Sequence, residues 1–140
     1  MNISYSKSKT LPRADVLALY KDAGWTEYTK DISTLMAGIE QSLAIVSAWH
    51  ENRLIGLVRI VGDGETIVYI QDLLVLQTYQ HSGIGSSLLT KVINDFKHVR
   101  QLVLLTDDEP AVRSFYKKHA FTSCDQGSLV AFAKLNHVER

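Results

Sequence analysis

Between Gln80 and Ser87 the chain reads Gln-His-Ser-Gly-Ile-Gly-Ser-Ser, a polar knot set between an apolar run, "TIVYIQDLLVLQ", and a helix-like pattern. A strand that runs straight into a helix leaves the first helical N–H groups without partners. Those amides and the helix dipole favour a bound anion. Gly83 and Gly85 let the backbone approach it closely, because neither has a Cβ. His81, Ser82, Ser86 and Ser87 add donors, or at least do not block the site. The chemistry is that of a phosphate cradle; the plain alternative is a glycine loop that only turns a corner. A P-loop requires Gly-Lys-Ser/Thr, which is absent. A dinucleotide fingerprint requires a third glycine where Leu88 stands, although Asp107 and Asp108 lie at a suitable distance for its ribose acid.

Three other places hold residues that could do chemistry. Asp72 lies inside the apolar run, a costly place for an unpaired charge; either it pairs, or its position is functional. Trp25 and Tyr28 stand in the polar stretch "AGWTEYTK". They read either as a lid over the core or as a wall for a cationic ligand. Tyr116, beside Phe115 in "SFYKKHAF", is by itself a packing aromatic on an amphipathic helix. Asp63 and Glu65 in "GDGE" read as turn residues, and His50 and His119 as surface or packing residues.

The elements that must position these groups follow from periodicity. "ISYS" is a first short strand. A helix runs from Pro12 to Ala23 and another from Ile32 to Gln41, capped by Asp31 or Ser33. "LAIVSAWH" and "RLIGLVRIV", joined by "ENR", form a hairpin. The run containing Asp72 is too continuously apolar for a sheet wet on one face, so it should be central and covered on both sides. Ile84, Leu88, Leu89, Val92, Ile93 and Phe96 make one helical stripe. "QLVLLT" then closes a parallel crossover. "EPAVRSFYKKHA" is a last helix, and "FTSC" and "SLVAFAKL" are two final strands around "DQG". The fold class is α+β: a mixed, mostly antiparallel sheet with helices on both faces, forming one domain over residues 1–140.

Composition sets the bounds. The chain has 140 residues and is 46% hydrophobic, enough for a core, and 15 basic residues balance 15 acidic ones. That balance argues against a general nucleic-acid binder. No apolar run has the length to span a bilayer, and the first ten residues lack a secretory signal pattern. The single cysteine and the absence of a Cys/His cluster argue against a disulfide framework or a structural metal. The expectation is a cytoplasmic protein with no metal, nucleic-acid or membrane partner.

"VLQTYQHSGIGSSLL" resembles the acyl-CoA signature of the GNAT superfamily of N-acetyltransferases, whose core is Gln/Arg-x-x-Gly-x-Gly/Ala. "SFYKKHAF" resembles that family's later motif, an aromatic pair closing a helix before a Gly-Phe strand start. Element order from Ile3 to Leu135 matches too. The resemblance implies the acyl-CoA N-acyltransferase fold and acetyl-CoA as co-substrate. It implies that the main-chain amides of His81 to Ser86, within the Gln80–Ser87 knot that includes Ile84, grip the CoA pyrophosphate. Leu73, Leu74 and Val75 would bond the pantetheine arm like a neighbouring strand, with Leu74 or Val75 facing the thioester carbonyl. Tyr116 matches the family's acid, and an ordinary phenol of pKa about 10 keeps its proton at pH 7. Trp25 and Tyr28 would line the acceptor pocket, with Asp72 as nearby negative charge or base. Two departures stand out: Glu109 where the family often has Asn, and Ala120 where it has Gly. The implied activity is acetyl transfer to a primary amine of a small molecule or peptide; a homodimer is among the expected partners. The other implied reading is a degenerate acyl-CoA-binding sensor module.

Overall fold

The computed structural model describes residues 2–136. These fall into two compact units, 2–104 and 105–136.

The first unit is a five-stranded sheet in the order β1 (Ser4–Ser6), β2 (Ala44–His50), β3 (Arg53–Gly62), β4 (Ile67–Val75), β5 (Gln101–Leu104). β1 to β4 pair antiparallel, and β5 pairs parallel to β4. The β2–β3 hairpin closes at Glu51 and Asn52, with φ of 50° and 68°. Both residues of this tight turn are left-handed, matching the twist of the flanking strands. At the next turn the Asp63 carboxylate organises the backbone. It accepts N–H groups from Glu65, Thr66 and Ile67, and together with the Thr66 hydroxyl these hold it well below the usual carboxylate range.

The helices are α1 (Arg13–Asp22), α2 (Thr26–Thr29), α3 (Ile32–Glu40) and α4 (Ile84–Asp95). Asp31 caps α3, accepting from the Thr34 N–H at 3.2 Å. Positions 56 and 59 of β3 differ by an odd number, so they face opposite sides of the sheet. Arg59 meets Gly38 of α3, while a Cβ on Gly56 would meet Leu88 Cδ1 of α4 at 3.2 Å. Helices therefore cover both faces. The bare Gly56 lets α4 sit close on the sheet, which fixes the level of its N-terminus. α4 buries Ile84, Leu88, Leu89 and Val92; each such side chain contributes about 1.5–3 kcal/mol when fully buried.

The strand buried without interruption is β3, from Leu54 to Ile60, rather than β4. β4 lies between β3 and the short edge strand β5, so the middle strand is β3, and the side chains of β4 alternate between buried (Val68, Ile70, Asp72, Leu74) and half-buried. β4 also carries an irregularity beside Asp72: Arg59 pairs with Asp72 and Ile60 with Ile70, leaving Gln71 as the extra residue of a bulge. A bulge bends its strand and re-aims a side chain. Here Gln71 Nε2 donates to the Tyr28 hydroxyl at 2.8 Å.

The second unit contains α5 (Pro110–Lys118) with Pro110 in its first turn. Arg113 ties it together, donating to Asp108 at 2.6 Å and to Asp125 at 3.0 Å. The expected strands "FTSC" and "SLVAFAKL" do not form: beyond α5 the described residues hold only a short 3-10 turn at Cys124–Gln126. Strand propensity is mostly a preference for a paired, half-buried surface. This segment has no ladder partner among the described residues, so its pattern alone does not make a strand.

Candidate functional site

β4 pairs with β5 only over Ile67–Ile70. From Gln71 to Val75 the edge of β4 turned towards β5 has no strand partner among the described residues. Along a strand, N–H groups alternate between the two edges. The Leu76 N–H turns to Ile55 of β3, so by this alternation Leu74 also turns its backbone groups to β3, and Leu73 and Val75, of the three residues expected to meet the arm, offer theirs to an extended ligand along this opening. The last ladder contact is the Leu76 N–H to the Ile55 carbonyl, 2.8 Å.

The knot follows at once. A 3-10 turn at Gln77–Tyr79 leads into His81, at φ 64°, and Gly83, at φ 85°. Left-handed residues re-aim successive amides, the geometry of anion-binding concavities. For His81 that conformation is uncommon. Gly83 is the N-cap of α4, with no side chain capping the helix. The first helical bond runs from the Ser87 N–H to the Gly83 carbonyl, 3.0 Å. The amides of Ile84 and Gly85 come before any carbonyl of the preceding turn that could receive them. A Cβ on Gly83 would meet nothing within 4 Å. Glycine is thus required there by backbone conformation and by an open approach, not by internal crowding.

Side-chain contacts hold the loop. Gln77 is clamped to the end of α1, its N–H to Asp22 Oδ2 at 2.8 Å and its Nε2 to the Asp22 carbonyl at 2.7 Å. The Tyr79 hydroxyl lies 2.7 Å from His50 Nδ1 at the end of β2. Gln80 Nε2 donates to the Val75 carbonyl at 3.0 Å, and the Ser82 hydroxyl donates to the Tyr79 carbonyl. Gln80 and Ser82 thus shape the knot with their side chains.

Asp72 is 2% exposed and paired. Arg59 Nε and the Tyr20 hydroxyl each donate to Oδ2 at 2.8 Å, and the Tyr28 hydroxyl donates to Oδ1 at 3.1 Å. Of the two readings of Asp72, this geometry supplies the pairing one. Burial, and then the charge of Asp72, push the Tyr20 phenol well above its ordinary pKa. The same two causes raise Tyr28. Both remain protonated donors. Burial opposes the charge on Arg59, but Asp72 outweighs it and the guanidinium pKa rises.

Trp25 and Tyr28 are half-buried over the fully buried Tyr20, and the three rings meet edge-on or tilted with centroids 5.4–6.0 Å apart. They seal the Asp72 pair and still present aromatic surface outward. Tyr20, Arg59 and Gln71 were missed in the sequence. Arg59 left a trace: one cation inside the apolar β3 and one anion inside the apolar β4. A cleft of about 230 Å³ lined by Lys7, Lys9, Leu43 and Phe96 among others shares no residue with this cluster. Among the described residues there is no group of three metal-binding side chains, and no helix long and apolar enough to cross a membrane.

In the second unit, Tyr116 is half-buried, with its ring 5.1 Å from Phe115 and 5.7 Å from Phe121. Its carbonyl accepts the Phe121 N–H at 3.1 Å, and the Lys117 carbonyl accepts the Ala120 N–H at 3.0 Å. This is the paired-bond helix ending that wants glycine at the left-handed residue. Ala120 occupies that place at φ 68°. A non-glycine residue there costs about 1–2 kcal/mol, part of which the greater unfolded-state entropy of glycine cancels. Ala120→Gly is expected to raise stability by about 0.5–1 kcal/mol, read as a higher denaturant midpoint. A lower midpoint would show that the strain is relieved elsewhere. Asp108, a candidate ribose acid in the dinucleotide reading, is held by Arg113.

The acetyltransferase (GNAT) family model matches residues 12–121, and the chain belongs to that family. A GNAT-family acetyltransferase structure from Streptococcus pneumoniae is 33% identical, with a TM-score of 0.86, covering 98% of this chain and all of that one. An uncharacterized ycf52-like N-acetyltransferase of Prochlorococcus marinus is 29% identical over 91% of this chain and 72% of its own. The PaiA N-acetyltransferase of Thermoplasma acidophilum, solved with coenzyme A, shares the fold with a TM-score of 0.66 at 16% identity, over 85% of this chain and 89% of that one.

Proposed function

We propose that this chain moves the acetyl group of acetyl-CoA to a primary amine of a small molecule or peptide, by direct attack of the amine on the thioester. The observation that carries the reading is the junction itself: an open strand edge from Gln71 to Val75, then left-handed His81 and Gly83, then the α4 N-terminus with no side-chain cap. That sequence of surfaces fits an extended ligand with an amide-rich arm followed by a diphosphate. The relative solved with coenzyme A supports the same ligand.

When bound, acetyl-CoA supplies an activated acyl carbon and a thiol leaving group. The chain's residues would divide the remaining work. The amides of His81 to Ser86 hold the diphosphate. Backbone groups of Leu73 and Val75 orient the arm, with the N–H of Val75 directed at the thioester oxygen as it gains charge. Tyr116 returns a proton to the sulfur, and Trp25 and Tyr28 face the amine. Asp72, its donors already in place, orients Tyr28 instead of taking the proton of the amine; that proton passes to water.

Gly83→Val tests the cradle. The Cβ itself meets no atom within 4 Å, while the left-handed backbone is penalised by about 1–2 kcal/mol. Acetyl-CoA affinity by calorimetry should fall about tenfold with the fold retained. Unchanged affinity would remove the cradle. Screening amines with a thiol-detecting dye separates the enzyme from a sensor, which would bind CoA and release none. Trp25→Ala tests the wall: a lost cation–π contact of roughly 0.5–2 kcal/mol raises the acceptor KM about two- to thirtyfold and spares the KM for acetyl-CoA. Equal shifts in both constants, with a lower melting temperature, would make Trp25 a lid.

A further inference from the structure

The last residue of α1 goes against a local rule. Asp22 places a negative charge at a helix C-terminus, where the helix dipole favours a cation. Its carboxylate is used elsewhere. Oδ2 accepts the Gln77 N–H at 2.8 Å, and the Asp22 carbonyl accepts Gln77 Nε2 at 2.7 Å. Gln77 opens the 3-10 turn that carries β4 into the knot. Within that turn the Tyr79 N–H bonds the Leu76 carbonyl at 2.8 Å, and the Gln80 N–H bonds the Gln77 carbonyl at 3.2 Å. The left-handed His81 and Gly83 follow directly. The setting of the knot is therefore inherited from Gln77, and that of Gln77 from α1. The same helix end also places Trp25. Gly24, at φ 76°, donates to the Lys21 carbonyl at 2.9 Å, and the Trp25 N–H donates to the Tyr20 carbonyl at 3.2 Å. One helix end thus fixes both the aromatic wall and the approach to the cradle.

We propose that Asp22 is a positioning residue for acetyl-CoA. It acts through Gln77, holding the 3-10 turn in the setting from which His81, Gly83 and the amides of Ile84 and Gly85 form the cradle. The role rests on the acetyl-CoA reading of that cradle. A loop that spends only part of its time in the binding setting binds with an affinity reduced by that fraction. A carboxylate is a suitable tether, because a bond from a main-chain N–H to a charged acceptor is about twice as strong as a neutral one. A residue kept for the stability of α1 alone would not be an acid at this position. On its other side the turn is held by the Tyr79 hydroxyl, 2.7 Å from His50 Nδ1. Removing Asp22 therefore changes the setting of the turn and leaves it attached to the sheet.

The test titrates the full chain with coenzyme A in a calorimeter. Asp22→Ala is expected to raise the Kd about tenfold, the loss of one such bond, with little change in melting temperature. Asp22→Asn keeps a side-chain carbonyl for the Gln77 N–H and should stay within about threefold of wild type. Gln77→Pro removes the donor instead. Leu76, at ψ 138°, already has the backbone that precedes a proline. This variant should raise the Kd at least as much as Asp22→Ala, and adding Asp22→Ala to it should change nothing further. In the ligand-free chain, Asp22→Ala should also speed hydrogen exchange at the Tyr79 and Gln80 amides. A wild-type Kd in Asp22→Ala, a loss that Asp22→Asn does not recover, or additive losses in the double variant would each overturn the role of Asp22. A lower melting temperature with an unchanged Kd would make the clamp a structural tie only. A wild-type chain that binds no coenzyme A would overturn the cradle itself, and this role with it.

Discussion

Tyr116→Phe is expected to lower kcat about a hundredfold to ten-thousandfold, the usual contribution of a positioned proton donor. The ring contacts with Phe115 and Phe121 persist, and the carbonyl that closes α5 is main chain. Only the phenolic hydroxyl is removed. Attack of an amine on a thioester expels a thiolate, and a thiolate that receives a proton as the bond breaks leaves more easily. The KM for acetyl-CoA should change little, because Tyr116 is not assigned to the diphosphate or the arm. Single-turnover measurement with a saturating amine isolates the chemical step. A wild-type rate there would return Tyr116 to packing. An equal loss in Tyr116→Phe and in a variant at Phe115 would point to disturbed α5 packing instead.

Legibility followed how local each determinant is. The turn at the knot could be read because glycine tolerates a left-handed backbone, and Gly83 does adopt that conformation. α1, α3 and α4 could be read because apolar residues at helical spacing stand beside a local boundary signal: Pro12 and Gly24 for α1, the Asp31 cap for α3, and the glycine knot before α4. The bulge at Gln71 could not, since it arises from the match of β3 to β4 and no residue in either strand announces it. The clamp from Asp22 to Gln77 joins residues far apart in sequence. Tyr20 read as one more core position of α1, which it is, yet its hydroxyl joins Arg59 and Tyr28 in satisfying the buried Asp72. Ala120 read as a small departure from glycine, whereas its positive φ makes it a strained one. "SLVAFAKL" misled because an alternating apolar segment shows readiness to pair without saying with which edge.

Breaking the buried pair should have the largest effect on stability. Asp72→Asn is expected to cost about 3–5 kcal/mol, the range for removing one partner of a buried ion pair. The cost comes from what remains. The new amide oxygen can still accept from Tyr20, but Arg59, 8% exposed, keeps its charge with no anion beside it. Arg59→Met should cost a similar amount by stranding the carboxylate. The double variant Arg59→Met/Asp72→Asn should recover most of the loss, since an uncharged pair needs no compensation. Alkaline titration adds a second reading. Tyr20 and Tyr28 have raised pKa values in the folded state. Above the ordinary phenol pKa of about 10 the unfolded chain therefore gives up protons that the fold retains. Stability is full below that pH and falls above it, and Tyr20→Phe should flatten the fall. The double variant also separates positioning from proton transfer. If Asp72 only orients Tyr28, its kcat should stay within about tenfold of wild type, less than loss of a general base costs, and the pH profile should keep its shape. A drop of about a thousandfold in kcat together with loss of the acid limb would instead make Asp72 the base.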